Sequence, residues 1–221
     1  MSTFNLTRIA QFAGAALLLL GLSGCPTTYN MGTARTLGVE RMEFTSTLVY
    51  NGLDLDALVP SESSSDMGTI AIPFVDFGFR YGVAENMDLG LSLKGFGKAG
   101  IDLKINLLDT GDIALSIDPE LSGTQLGDAG IVQFDLPVLV DFILSDAMTV
   151  TVAVKYTGWM PFSGADATLT HFVGGTLGLD IKLGDNFAMH PFAGVTYWMG
   201  DVADGVEVVL PHGGLGLRVG L

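Results

Sequence analysis

Few side chains in this sequence are of a type that does chemistry: one cysteine, Cys25, and three histidines, His171, His190 and His212. A histidine acting as general base needs a nucleophile within hydrogen-bond reach. No serine sits in the strained Gly-x-Ser-x-Gly turn that exposes such a nucleophile. His171 follows Thr168 and Thr170, His190 precedes Pro191, and His212 falls on the polar parity of the last apolar alternation. Three histidines at these spacings carry no catalytic signature, so the chain is not expected to be an enzyme. A hydrolase or acyltransferase is kept as an alternative, with His212 its best base. No stretch has the ligand spacing of a zinc site or a calcium loop. No metal or cofactor is expected from these residues.

Cys25 is the informative residue. Arg8 is the only charge before an apolar core from about Ala13 to Leu22, and Leu22-Ser23-Gly24-Cys25 follows. A charged start, a short apolar core and small residues before the cut make a secretory signal. The last four residues resemble the lipobox of bacterial lipoproteins. The resemblance implies that the Cys25 thiol receives diacylglycerol, that residues 1–24 are removed, and that the new amino terminus is acylated. Residues 25–36 then read as a lipidated N-terminus and polar tether. Pro26, rather than aspartate, follows the cysteine, which permits sorting to the outer membrane.

The elements that would position anything else are strands. Charged residues make up only 15% of the chain, where soluble domains carry about 25%. Mean hydropathy is positive, yet no apolar run reaches the roughly 18 residues of a transmembrane helix. If the chain spans a bilayer it must do so as a closed barrel, which leaves no backbone group unpaired in lipid. Alternation with period two places strands near 37–50, 69–81, 87–95, 100–108, 112–118, 131–143, 148–159, 171–183, 187–198 and 206–221. Short links at Val83–Asn86, Asp109–Asp112, Ser145–Ala147 and Gly184–Asn186 alternate with longer ones at Gly52–Gly68, Gly95–Ala99, Pro119–Gly130, Pro161–Leu169 and Gly200–Gly205. Short turns at one end and long loops at the other are the pattern of an outer-membrane barrel, with both termini in the periplasm.

Residues 37–221 therefore resemble the bacterial outer-membrane β-barrel proteins in architecture and composition. The resemblance implies an all-β, antiparallel up-and-down transmembrane barrel of ten strands, or eight if the hairpin near 100–118 is misread. It also implies contact with outer-membrane lipid and with the assembly machinery that reads the last strand. Gly216, Val219 and Leu221 fit that signal's spacing, although the final residue is Leu and not aromatic. A soluble, lipid-anchored β-sandwich or lipocalin-like barrel has the same alternation with the faces reversed. Tyr50, Tyr81, Tyr156, Tyr197 and Trp198 sit near strand ends, as an interfacial girdle would require.

In the membrane reading the polar parity lines the lumen. It carries Glu43, Asp76, Asp88, Asp102, Asp118, Asp135, Asp141 and Asp180 against Arg41, Arg80, Lys94, Lys104, Lys155, Lys182 and Arg218. A narrow barrel has little room beyond its own side chains, and buried charges persist only when paired. The expectation is an ion-pair network that closes the lumen. The formal charge of -14 excludes nucleic acid as a partner, because phosphate binding needs a basic surface. The acidic excess falls on the longer links, at Asp54, Asp56, Glu62, Asp66, Glu120, Asp128, Asp166, Asp201 and Asp204, opposed by little more than Lys98.

The function expected is a structural or surface-interaction role in the outer membrane, with a surface ligand that the sequence does not name. A narrow channel for ions or small solutes is the alternative. The anchor is open to a direct check. Cys25→Ala should abolish incorporation of labelled palmitate in expressing cells, and continued labelling would remove the lipoprotein assignment.

Overall fold

The computed structural model describes residues 32–54, 69–95, 97–163, 166–167, 169–199 and 209–220. The signal segment and Cys25 lie outside them. Ten strands form the wall among the described residues, and a further two-residue strand, Asp166–Ala167, pairs with Phe162 and Ser163 beyond it. The wall strands are β1 Met42–Asp54, β2 Thr69–Ala84, β3 Met87–Lys94 and β4 Lys98–Asp109. Strand β5 has two parts, Ile113–Ile117 and Glu120–Leu126. They continue as β6 Ala129–Ser145, β7 Met148–Ser163, β8 Thr170–Lys182, β9 Phe187–Trp198 and β10 Val209–Gly220. Each strand pairs antiparallel with the next, and β1 pairs with β10 from Glu43↔Gly220 to Asn51↔His212. The sheet is thus closed. The eight-strand alternative fails because the hairpin of β4 and β5 is present, with Ile105 opposite Ile117.

The alternation seen in the sequence sorts cleanly into two faces. Outward-pointing Leu91, Leu121, Val154 and Leu177 are all more than half exposed, while Asp88, Asp102, Asp135 and Lys155 on the other parity are buried. Soluble monomers rarely expose contiguous apolar patches beyond a few hundred Å². Here the apolar side chains encircle the wall and the charges fill the inside. That inversion excludes the lipocalin-like reading and leaves a bilayer-spanning barrel, in which the apolar band meets lipid.

Several boundaries differ from the sequence reading. Strand β1 starts at Met42 rather than Leu37, because Gly38 and Glu40 take positive φ and turn the chain away from the wall. Pro119–Gly130 is not a loop. Pro119 interrupts β5, yet its carbonyl accepts the Leu103 N–H and pairing resumes at Glu120↔Asp135. The link to β6 is then a tight turn at Gly127 and Asp128. Trp198 leaves the expected girdle. It packs with Trp159 against buried Phe172 and Leu210, an apolar cluster at the loop end of the lumen. Tyr50 and Tyr197 do point outward. Pro191 and Pro211 lie within continuous pairing of β9 and β10.

Leu91 lies near the middle of β3 on the outer face. Leu91→Arg should destabilise the barrel by about 2–4 kcal/mol in urea titrations in lipid vesicles. Glu85→Arg, in the exposed β2–β3 turn, should change stability by less than about 0.5 kcal/mol.

Candidate functional site: the charged lumen

Nine buried carboxylates line the interior, and five buried cations plus the largely buried Arg218 face them. Strand register explains how they meet. Glu43, Arg80, Gly90, Asp102, Glu120, Asp135 and Thr157 are successive partners around the wall from β1 to β7. Gly90 matters in that row. A Cβ there would lie 2.2 Å from Asp102 Oδ2, so only glycine lets the acid and Arg80 meet across β3. Arg80 Nη2 lies 2.5 Å from Asp102 and 3.0 Å from Asp118.

A second cluster gathers on β3 to β7. Lys94 Nζ is 2.5 Å from Glu120 Oε2, and Ser92 Oγ donates to Glu120 Oε1. Lys98 Nζ donates to Gln133 Oε1 at 2.6 Å, and Gln133 Nε2 donates to Asp135. Asp135 also accepts from Thr157 Oγ1 and sits 3.5 Å from Lys155 Nζ. A third cluster crosses the closing seam. Arg218 on β10 reaches Glu43 on β1 at 2.9 Å and Asp180 on β8 at 2.5 Å, with His190 Nδ1 3.6 Å from the same Asp180 oxygen.

These pairs account for six of the nine carboxylates. The other three are held by backbone amides. Gly95 N–H donates to Asp76 at 2.7 Å. Leu37 N–H donates to Asp88, and Ala34 and Arg35 N–H donate to Asp141, which also accepts from Thr151 Oγ1. Lys104 Nζ donates to the Thr33 carbonyl at 2.6 Å. The part of the tether from Gly32 to Leu37 therefore runs across the turn-side mouth, with Gly32, Thr33 and Ala34 buried.

Of the residues expected in the network, Arg41 and Lys182 are exposed at the turn-side rim and stand outside these clusters. They line a cavity of about 460 Å³ beside Glu43, Asp180 and Arg218. Glu120 and Lys98, assigned to loops from sequence, are lumen residues. Their parity with Asp118 and with Gly100 and Asp102 carried that signal, but Pro119 and the glycines masked it. Asp56, Glu62, Asp66, Asp201 and Asp204 lie outside the described residues. At the β4–β5 turn, slight burial pushes the Asp109 carboxyl up. The Gly111 N–H and the Arg35 guanidinium outweigh that and hold it below the usual carboxylate range.

The histidines divide between faces. His190 and His212 are buried in the lumen, and His212 Nε2 lies 2.9 Å from Thr176 Oγ1. His171 pairs with the Tyr156 hydroxyl at 2.6 Å. No group of three or more potential metal ligands occurs among the described residues.

No protein-family model matches the chain, and no curated protein matches its sequence. Solved structures do match the fold. An outer membrane channel from Pseudomonas putida F1 superposes with a TM-score of 0.52 at 8% identity, covering 87% of this chain and 100% of that one. The outer membrane protease OmpT of Escherichia coli gives a TM-score of 0.45 at 7% identity, over 86% of this chain and 100% of that one. Neisserial surface protein A gives 0.39 at 11% identity, over 80% and 96%. The chain thus has the closed-barrel fold of the outer-membrane channel.

Removing one member of a buried ion cluster strands the others. Arg80→Met should cost about 3–5 kcal/mol in urea unfolding, because Asp102 and Asp118 are left facing each other. Adding Asp102→Asn and Asp118→Asn should recover most of that loss.

Proposed function

We propose that this protein is an outer-membrane barrel, anchored by lipid at Cys25, whose lumen is closed and whose work is structural or carried by its surface loops. The observation that carries this reading is the pairing of every buried lumen carboxylate, six by cations and three by backbone amides. Ion pairs crossing the lumen and the apolar cluster of Trp159, Phe172, Trp198 and Leu210 at its loop end support a lumen without a continuous aqueous path. Ion pairs crossing between strands also hold their register, so the wall is a stiff platform for the loops. The anchor belongs to the same side as the turns. Both β1 and β10 meet the turn-side rim, where acyl chains on Cys25 would enter the inner leaflet.

A narrow channel for ions or small solutes is the second reading. The polar lumen and the fold shared with the Pseudomonas putida channel favour it. A rim-active hydrolase or acyltransferase has less support, because His190 and His212 are enclosed in the lumen. Single-channel recording of the reconstituted, lipidated protein separates the first two. Silent bilayers are expected, with heat-dependent gel mobility showing that the barrel is folded. Reproducible unitary steps would overturn the closed barrel and establish the channel.

A further inference from the structure

The segment Gly32–Leu37 differs from everything else in the lumen in how it is held. The strands are held by ladders. This segment forms no ladder. Its backbone instead serves three buried charges of the wall. Asp88 takes the Leu37 amide, Asp141 takes the Ala34 and Arg35 amides, and Lys104 takes the Thr33 carbonyl. Asn106 adds a bond to the Ala34 carbonyl, and Thr36 Oγ1 reaches the Glu85 carbonyl in the β2–β3 turn. Ala34 joins a small apolar cluster with Ala114 and Leu139.

The wall beneath carries small side chains. Strand β5 presents Ala114, which clusters with Ala34, and Ser116, the register partner of Asn106, and neither has any exposure. The segment covers the mouth on the β3–β6 side. The other half holds the cavity of about 460 Å³, which reaches Asp141 itself. Thr33, Arg35, Thr36 and Leu37 of the segment line the same cavity. Asp141 is fully buried beneath the Ala34 and Arg35 amides, and the cavity beside it would supply water to the carboxylate once they leave. At its C-terminal end the segment joins β1 through Gly38 at φ 84° and Glu40 at φ 63°. Arg41 N–H bonds back to the Gly38 carbonyl, and Glu40 N–H to Gly82, so this turn is pinned to the wall. A pinned turn at one end, no ladder along the length and a cavity alongside make a strap that can swing.

We propose that Gly32–Leu37 is a releasable strap, which covers the β3–β6 side of the turn-side mouth by lending its backbone to Asp88, Asp141 and Lys104. The inference concerns access to the turn-side mouth, and it stands whether or not the barrel conducts.

Two measurements test it. The first is amide hydrogen exchange on the unmodified full chain in micelles. The Ala34 and Leu37 amides should exchange at least about tenfold faster than ladder amides of the same region, as a locally opening segment does. Equal protection would overturn the proposal. The second uses a Cys25→Ser background with Ser116→Cys as a near-isosteric reporter beneath the strap. A membrane-impermeant thiol reagent should label it slowly. With Asp88→Ala and Asp141→Ala added, labelling should rise by about tenfold or more, since each change removes charge-assisted bonds to the strap. Unchanged labelling in a barrel that retains heat-dependent mobility would overturn it.

Discussion

A wall one strand thick must present lipid on one side and pack a narrow lumen on the other, and every other feature of this molecule answers to that constraint. The outer parity is apolar because nothing in the bilayer core can solvate a charge. The inner parity then carries the chain's polar residues into a space with little water. Charges placed there are stable only in company. Arg80 between Asp102 and Asp118, Lys94 on Glu120, and Arg218 between Glu43 and Asp180 are the forms that company takes.

Arg218 has the most consequential position. The pairing of β1 with β10 closes the sheet, and it joins residues from opposite ends of the chain. Such a long-range seam gains nothing until the barrel is complete, because loop-closure entropy opposes it throughout folding. Arg218 reaches across that seam to Glu43 while holding Asp180 two strands away. The cluster thus ties four adjacent strands at the point where closure is decided.

The charge balance of the lumen bears on the strap. Four of the six lumen cations pair with six of the nine carboxylates, Lys98 and Lys104 donate to neutral oxygens, and three of the acids take amides. An amide donor is neutral, so Asp88 and Asp141 hold the chain's own N-terminal segment in the mouth without adding a cation. A lumen occupied by paired charges, an apolar cap and a strap suits a stiff closed barrel. The same residues would line a polar path if the strap and the pairs rearranged.

Much of this was legible before any coordinates. Period-two alternation of Ile101, Leu103, Ile105 and Leu107 with Asp102, Lys104 and Asn106 names the strand and both its faces, because side chains on a strand alternate strictly. The export signal expected before Cys25 rests on sequence alone and lies outside the described residues. Three things were decided only by tertiary structure. Alternation does not say which face is inside, and closure of β1 on β10 settled that. Strand parity places charges on one wall but not their partners, so Arg80 finds Asp102 and Asp118 only through register and the missing Cβ of Gly90. The segment Gly32–Leu37 has no periodicity to read. Its place in the lumen arises from carboxylates more than fifty residues away, and only folding brings those to the same mouth.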